Sequence, residues 1–522
     1  MSLSGRSGWA RGQVAASTLL GVTVSAFLGL AGCSAAARVA QTAFQPSESA
    51  PESPSGGAAG RAGAGDGASP SQAGEGGSGG SAAVSCPAGL VDRLSVTSVE
   101  LSRDVRYKSP GQGDFPFDER VAFAPASDGS AYVAWLDNAS GGVRVTPLDA
   151  SFARRGQDID TRSWDIGGIV ARGGGFALLS LRDDPEPLLS RNGNVGRAVF
   201  MLRYRAGQEA FAVQLTGTRS ITRKVDAAAR DFAPGYLYGR LQWNGAKYGA
   251  YFVIFTAQSD PRGALEYPTD KLVYLDDSGA LLRGGFRFKC DSDQGLRMWP
   301  EPDVYTPVCL STGAPGPGLI LGIEDQPPQL LASEAAVPGW SGGQLGSIVK
   351  LADNSYVLGW LSRDVAPASP SVPLRRASDV AMLRLNSERQ PMGGKRWLIE
   401  TPNLGETNLH FARYGSSRVL MVWDRMDNLR CGNADRLCFG RYAGTFARVL
   451  DADGNTLIPD TQIAAVPNSY EDLHTLEDGS VAWAYVPDEA RDYSGPISTD
   501  QNGDLLLPAK RRIAIARLRY CE

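Results

Sequence analysis

His410 and His474 are the first candidates for a catalytic or binding role, because they are the only histidines in the 522-residue chain. They end two similar segments, ETNLH from Glu406 and EDLH from Glu471. An imidazole titrates near neutral pH, so it can act as a general base, a metal ligand or a contact for a bound molecule. Their matching positions predict that both side chains lie at the start of equivalent strands.

Other polar and aromatic residues occupy corresponding places near the start of apolar segments elsewhere in the chain. This set comprises Asp118, Glu119, Asp165, Tyr236, Trp299, Glu301, Asp303, Glu406 and Glu471. Acids, aromatics and histidines gathered around one opening can bind a sugar, a peptide or a cation. The alternative is that residues at strand starts are solvated or cap turns, and repetition then explains their shared positions without a ligand.

One short pattern has a catalytic namesake. Residues Gly339 to Gly343 (GWSGG) fit G-x-S-x-G, in which a strand before the serine and a helix after it expose the nucleophile. Here Pro338 precedes the pattern and QLGSIVKL follows it like a strand, so we predict an ordinary turn and no catalytic serine. A pair of channel carboxylates suited to glycoside cleavage is the enzymatic alternative, although the sequence does not define their separation.

Metal and cofactor patterns are weak. The segment Asp451 to Asn455 (DADGN) resembles the start of a calcium loop but lacks the later ligands, so we predict a hairpin turn. Cys431 and Cys438 are not spaced as C-x2-C, and the two histidines stand far apart, which disfavours zinc. We predict neither a metal nor a cofactor.

The elements that must position these residues are short apolar strands joined by turns, with no long helical pattern. A strand, a turn and a second strand ending in an aromatic recur along the chain. Examples begin at Val121 (VAFAPASDGSAYVAWLD), Gly168, Gly239, Asp303, Gly346, Leu409 and Leu473. Most are followed by a second hairpin, so a four-stranded unit recurs about seven times, at roughly 45–65 residues.

This rhythm resembles that of seven-bladed β-propellers, although the GH…WD signature is missing. Each unit exposes two apolar faces that only its neighbours can cover, and closing the ring removes the open end. We therefore predict an all-β propeller in which a strand from Asp92 joins the last strand of the chain in one blade. Two β-sandwiches of about 200 residues each are the alternative.

Seven cysteines are present, and one of them, Cys33, is assigned to lipid below. An even number of the others in an exported domain indicates disulfides, with the pairing left open by the sequence. Proximity favours Cys431 with Cys438 and Cys290 with Cys309, which leaves Cys86 and Cys521 at the two ends of the domain. A bond between those ends would fasten the closing blade.

The amino terminus indicates export. Arg6 and Arg11 precede an apolar run from Val14 to Leu30, as in a secretory signal. The run ends in LAGC at Cys33, which resembles the lipobox of bacterial lipoproteins. The resemblance implies cleavage before Cys33, lipid on its sulfur and an acylated amino terminus. The alternative is an uncleaved membrane anchor. Ser34, which is not Asp, implies the outer membrane if the source has two membranes.

Three regions follow from these patterns: a signal peptide over 1–32, a lipidated tether over 33–85 and the propeller over 86–522. The tether is rich in Ala, Gly, Ser and Pro and cannot bury enough apolar surface to order itself. A formal net charge of −4 without basic runs disfavours nucleic acid as a partner.

The predicted function is that of a membrane-anchored envelope protein whose propeller binds or scaffolds an unidentified protein or glycan without catalysis. Two alternatives stay open: an enzyme that processes polysaccharide or peptide with channel carboxylates, and a structural subunit of an envelope assembly. Whether the domain faces the cell surface or the periplasm is also open.

Overall fold

The computed structural model describes residues 86–106, 120–184, 196–217, 221, 229–232, 237–258, 265–287, 290, 295–311, 316–334, 344–362, 379–400, 404–431, 438–487 and 510–521. The predicted signal peptide, Cys33 and the predicted tether lie outside these residues. Among the helices of the described part, none is both long and apolar enough to cross a membrane.

The described strands form seven four-stranded sheets. A single helical turn, α1 (Leu90–Arg93), precedes strand β1 (Leu94–Val105). Each sheet is one blade. The first blade contains β2 (Ala122–Pro125), β3 (Ala131–Leu136), β4 (Val143–Leu148) and β5 (Ile159–Asp160), and the second contains β6 (Ile166–Arg172), β7 (Gly175–Asp183), β8 (Arg197–Arg205) and β9 (Gln208–Gln214). The third contains β10 (Ala229–Phe232), β11 (Gly239–Trp243), β12 (Tyr248–Gln258) and β13 (Leu265–Leu275).

The remaining four blades complete the ring. The fourth blade contains β14 (Arg297–Pro300), β15 (Tyr305–Ser311), β16 (Gly318–Leu321) and β17 (Gln329–Ser333), and the fifth contains β18 (Leu345–Lys350), β19 (Tyr356–Ser362), β20 (Asp379–Leu385) and β21 (Arg396–Ile399). The sixth contains β22 (Leu404–Tyr414), β23 (Arg418–Cys431), β24 (Cys438–Leu450) and β25 (Thr456–Ile463). The seventh contains β26 (His474–Thr475), β27 (Val481–Tyr485), β28 (Lys510–Leu518) and β1. The prediction of a seven-bladed propeller is confirmed, and the two-sandwich alternative is wrong.

The predicted hairpin turns are formed by aspartates that accept hydrogen bonds from the backbone. Asp128 Oδ1 accepts from the amide of Ser130 at 3.0 Å, and Asp451 Oδ1 accepts from the amide of Asn455 at 2.8 Å. Such Asx turns suit Asp and Ser in tight connections. The DADGN segment is therefore a hairpin turn between β24 and β25, as predicted.

The core consists of seven apolar clusters, each lying between two consecutive blades. The aromatics predicted at the ends of second strands are buried in them: Trp135, Trp360, Trp423 and Trp483 are at most 2% exposed. Blade packing therefore explains why aromatics recur at this place, because each fills the space between adjoining sheets.

The ring closes as predicted. β1 is the outer strand of the last blade and pairs antiparallel with β28, with Leu94 opposite Leu518. A disulfide joins Cys86 to Cys521, with their Cα atoms 5.9 Å apart. The two ends of the domain are thus held in one blade by backbone hydrogen bonds and a covalent bond.

The second disulfide, between Cys290 and Cys309, is also confirmed. Cys309 belongs to β15 in the fourth blade, whereas the amide of Cys290 donates to Asp270 in β13 of the third blade. The bond therefore joins two blades. Cys431 and Cys438 lie opposite each other in the β23–β24 register, and their side chains lie outside the described part, so their disulfide stays a prediction.

The third blade has an irregular outer edge. β10 and β11 both pair with β12, on the side away from β13. On the other side of β13 the chain continues as an extended segment, in which the amide of Leu282 donates to Tyr274 and the amide of Leu272 donates to Phe286. This segment borders β13 on its outer side, where a fourth strand lies in the other blades.

Candidate functional site at the channel mouth

The first strands of the blades line a central channel, and they all start at the same end of it. A Cβ on Gly167 would lie 2.6 Å from Leu237, one on Gly295 2.9 Å from Leu345, and one on Gly346 3.0 Å from Leu409. Leu237 stands just before β11 and Leu345 begins β18, whereas Leu409 lies inside β22. Glycine is therefore required where adjoining strand starts meet. We call this end the strand-start mouth.

The centre of the strand-start mouth is a carboxylate shared by two arginines. Arg297 Nε lies 3.0 Å from Asp472 Oδ1, and Arg240 Nε lies 3.4 Å from Asp472 Oδ2. Arg240 and Arg297 are nearly fully buried, and the Asp472 side chain is 21% exposed. The cluster joins the third, fourth and seventh blades across the channel.

Burial dominates the electrostatics of this cluster. Burial, together with the neighbouring Arg297, lowers the pKa of Arg240 to about 9. Burial opposes ionisation of Asp472, but Arg240 and Arg297 together outweigh it and hold the Asp472 pKa below its usual value. Two guanidinium groups thus compete for one carboxylate in a place that water reaches poorly.

A second buried ion pair lies beside the first. Arg120 donates to the carboxylate of Glu471 and also to the carbonyl oxygens of Ile166, at 2.8 Å, and Gly239, at 3.1 Å. One side chain therefore connects the segment before β2 with the starts of β6 and β11 and with the segment before β26. The predicted candidate Glu471 is at this mouth, where it neutralises an arginine.

Asp165 also joins strand starts. Its two carboxylate oxygens accept from the amides of Ile166 at 2.7 Å and Leu237 at 2.6 Å. Burial raises the Asp165 pKa, and these two amides oppose the shift. The residue fixes the second blade to the third.

His474 lies at the mouth and lines a cavity of about 220 Å³ inside the channel. Its Nε2 is buried without a hydrogen-bond partner among the described residues, and its ring stands edge-on to Phe123 with centroids 5.6 Å apart. Burial lowers the His474 pKa, against the opposing charges of Asp472 and Glu471. The cavity is lined by Gln242, Arg297, Met298, Trp299, Pro300, Ser347, Ile348, Val349, Phe411, Ala412, Arg413, Asp472, Leu473, His474 and Thr475.

His410 differs from His474 in place and in environment, because it lies inside β22, after a register shift, and not at the start of its strand as predicted. It is fully buried, and its Nε2 lies 2.8 Å from Asn408 Oδ1. Asn408 in turn donates to Asp424 Oδ2 at 2.9 Å and to the carbonyl oxygen of Pro467 at 2.8 Å. His410 is not among the residues that line the cavity, so the predicted pair of equivalent histidines is divided between a packed network and a channel wall.

Two predicted mouth residues lie at the other end of the channel. Glu301 follows the end of β14, accepts a hydrogen bond from Tyr356 and lies 2.6 Å from Lys350 Nζ at the end of β18. Asp303 is exposed in the turn that follows. Their predicted placement at the strand starts is wrong, because the first strand of this blade is the short segment RMWP, and the strand after Asp303 is the second.

The remaining candidates divide between the wall, the interior and undescribed parts of the chain. Trp299, on β14, lines the cavity. Glu406 is fully buried, with Oε1 3.8 Å from Arg425 Nε. Asp118, Glu119, Tyr236 and the GWSGG pattern over 339–343 lie outside the described residues.

The sequence analysis does not single out the arginines of the mouth. Arg297 follows Leu296 as His474 follows Leu473, so a leucine followed by a basic residue marks the starts of β14 and β26, and the same pair, Leu409 and His410, lies inside β22. Arg120 and Arg240 carry no comparable pattern. Glu471 and Asp472 are held in ion pairs with buried arginines and are not simply solvated.

No group of three or more His, Cys, Asp or Glu side chains within the described ranges is arranged to hold a metal ion. The chemistry available at the mouth is therefore that of guanidinium groups, paired carboxylates, one imidazole and nearby aromatic rings. Tyr238 and Tyr470 supply two of these rings, with centroids 6.0 Å apart.

Comparisons with known proteins find similarity of fold. No family model matches the chain, and no curated protein matches its sequence. BamB from Moraxella catarrhalis is 11% identical, with a TM-score of 0.34, and covers 81% of this chain and 99% of its own. An α-L-arabinofuranosidase from Fusarium graminearum is 10% identical, with a TM-score of 0.37, over 80% of this chain and 98% of its own.

A prolyl endopeptidase structure is 13% identical, with a TM-score of 0.35, over 73% of this chain. This chain spans about half of that peptidase, 47% of its length. At these identities the likenesses concern the fold alone. The chain folds as a seven-bladed, all-β propeller.

Proposed function

We propose that this chain is a lipid-anchored envelope protein whose propeller is a non-enzymatic binding module, with the strand-start mouth as its recognition surface. The observation that carries the proposal is the sharing of Asp472 between Arg240 and Arg297. In this cluster two buried guanidinium groups face one carboxylate, so the cluster carries an excess of one positive charge and its carboxylate is already paired. Such a surface suits recognition of an acidic protein or envelope polymer.

The state of the acids favours binding over glycoside cleavage. A glycosidase needs one protonated carboxyl group and one free carboxylate on either side of the bond. Arg240 and Arg297 hold the pKa of Asp472 below its usual value, and Glu471 pairs with Arg120. Glu301 is paired with Lys350 and is hydrogen-bonded by Tyr356. Asp165, whose pKa burial raises, holds both oxygens on backbone amides.

The frame also suits recognition. Seven apolar clusters and two disulfides hold the blades together, so loops and strand starts are presented on a closed, rigid ring. A preorganised surface loses little conformational entropy when it binds. The lipobox-like LAGC at Cys33 and the low-complexity segment after it supply the proposed anchor and reach.

Site-specific photo-crosslinking in intact cells tests the binding surface. Tyr470 is replaced by a photoreactive phenylalanine derivative in the full-length lipoprotein, and the same derivative replaces Leu457, which is half-exposed on β25. We expect a discrete adduct from position 470, reduced at least tenfold by Arg240→Gln, and none from position 457. Equal adducts from both positions, or no effect of Arg240→Gln, would contradict the proposal.

Two further measurements test the anchor and the absence of catalysis. Metabolic labelling with a fatty-acid analogue should label the wild-type protein and not Cys33→Ser. The purified protein should release no product from a panel of glycans and peptides. Turnover that Glu301→Gln or Glu406→Gln abolishes would establish the enzymatic alternative instead.

A further inference from the structure

We propose that the cavity inside the channel is a binding site for a small hydroxylated carboxylic acid, of the chemical class of the sugar acids. The inference rests on the proposed binding role and deepens it by naming the ligand chemistry of the channel. It is carried by the charge of the cavity wall, by the unpaired guanidinium of Arg413 and by the composition of the wall.

The charge of the wall favours an anion. Arg297 and Arg413 line the cavity together with one acid, Asp472. That acid is already shared between Arg297 and Arg240, while Arg413 forms no ion pair with any described residue. A carboxylate in the cavity would supply the missing negative charge and would form charge-assisted hydrogen bonds with guanidinium groups.

The guanidinium of Arg413 points to the same ligand. Its Nε is buried without a hydrogen-bond partner among the described residues. An arginine is only a donor, so a carboxylate that lies against the terminal nitrogens of this guanidinium would give it an acceptor.

The rest of the wall suits an organic, hydroxylated body. Ser347, Thr475 and Gln242 offer hydroxyl and amide groups, and Trp299 offers an aromatic surface. Met298, Ile348 and Phe411 make other parts of the wall apolar. A compact inorganic anion would leave these apolar groups facing its hydration shell, whereas the carbon face of a sugar acid would contact them.

The size is compatible with one such molecule. The cavity volume of about 220 Å³ is below the roughly 300–1,000 Å³ of pockets for drug-sized ligands, so it suits one small molecule. Two sources share this chemistry: a free acid, and the terminal residue of an acidic polysaccharide that enters through the strand-start mouth.

Calorimetric titration of the full-length protein in detergent tests the assignment, with glucuronate, glucose and inorganic phosphate as probes. We expect glucuronate to bind at least tenfold more tightly than glucose or phosphate. Arg413→Met should weaken glucuronate binding at least tenfold, and Arg511→Met, on an exposed arginine of β28, should leave it unchanged. Equal binding of glucuronate and glucose, or of glucuronate and phosphate, overturns the assignment, as does an unaffected Arg413→Met.

A second variant protects the test against misfolding. Arg413→Lys keeps the positive charge at the same position, so it should retain the fold and bind glucuronate more tightly than Arg413→Met does. A short oligomer of glucuronate-containing polysaccharide distinguishes the two sources, since only an open path through the mouth allows it to match the monomer. If the wild-type protein does not bind glucuronate but still forms the adduct from position 470, this inference is overturned and the proposed function stands.

Discussion

Asp472 and Arg297 meet across the channel, with Oδ1 of the aspartate 3.0 Å from Nε of the arginine, although the two residues belong to different blades. Arg240 approaches the other oxygen from a third blade. Three separate sheets are thus connected by one carboxylate. This relationship makes the strand-start mouth a structural joint as well as a candidate binding surface.

Removing the shared carboxylate should destabilise the ring. Asp472→Asn leaves two buried arginines facing each other without a counter-charge, and breaking a buried pair costs several kcal/mol. Because the Asp472 side chain is 21% exposed, we expect a loss of about 2–3 kcal/mol in the free energy of unfolding, measured in urea. Asp478→Asn, which breaks the exposed pair with Arg517, should cost less than about 1 kcal/mol. Equal losses of unfolding free energy in the two variants would contradict a structural role for Asp472 between the blades.

The closing disulfide should matter more than the one between blades. Cys86 and Cys521 are separated by 435 residues, and Cys290 and Cys309 by 19. The chain-entropy model assigns about 4–6 kcal/mol to the first loop and about 3 kcal/mol to the second. We expect Cys86→Ser to lower the midpoint of denaturant unfolding more than Cys290→Ser does. The opposite order would show that the seam is held mainly by the β1–β28 pairing.

The stability of the fold should depend on the protonation of His474. Burial lowers its pKa below the usual 6.5, so the unfolded chain binds this proton more readily than the folded protein. The free energy of unfolding should therefore rise with pH through the window just below 6.5, by at most about 1.4 kcal/mol per pH unit for one proton, and level off above it.

His474→Gln isolates this contribution, because glutamine does not titrate. The difference in unfolding free energy between wild type and His474→Gln should change between pH 5 and pH 7.5 (roughly the histidine range), with the wild type gaining as pH rises. A difference that stays constant over this range would show that the folded and unfolded proteins bind the proton equally.

Close approach at the strand starts should make one glycine intolerant of a side chain. A Cβ at Gly167 would lie 2.6 Å from Leu237 and 2.9 Å from Leu179. We expect Gly167→Ala to cost about 1–3 kcal/mol, as in an overpacked core. At Gly394 nothing lies within 4 Å, so Gly394→Ala should be neutral or slightly stabilising. Thermal unfolding compares the two, and similar melting temperatures would refute the predicted crowding.

Much of the fold was predictable because its causes are local or periodic. Alternating apolar strands, turns with Asp and Gly, and an aromatic at the end of second strands such as Trp135 and Trp483 all read out directly in the sequence. The pairing of the two chain ends followed from the need to close the ring, and the Cys86–Cys521 bond agrees with it.

The fourth blade was harder to read, for a physical reason. Its first strand, β14, is four residues long and ends in proline, which is too short to show an alternating pattern. The sequence pattern therefore indicates β15 as the first strand of this blade, whereas it is the second. Glu301 and Asp303 were placed at the strand-start mouth, whereas Arg297 is the residue that lies there.

By itself the sequence determined the class of fold, the number of blades and the seam, because each depends on composition, periodicity or a short motif. Only the tertiary structure decided which charges meet. Asp472, Arg240 and Arg297 come together because three strand starts converge on one axis, and no spacing along the chain encodes that convergence. The same convergence turned His474 towards the cavity and left His410 inside a packed hydrogen-bond network, although the two share one sequence position in their repeats.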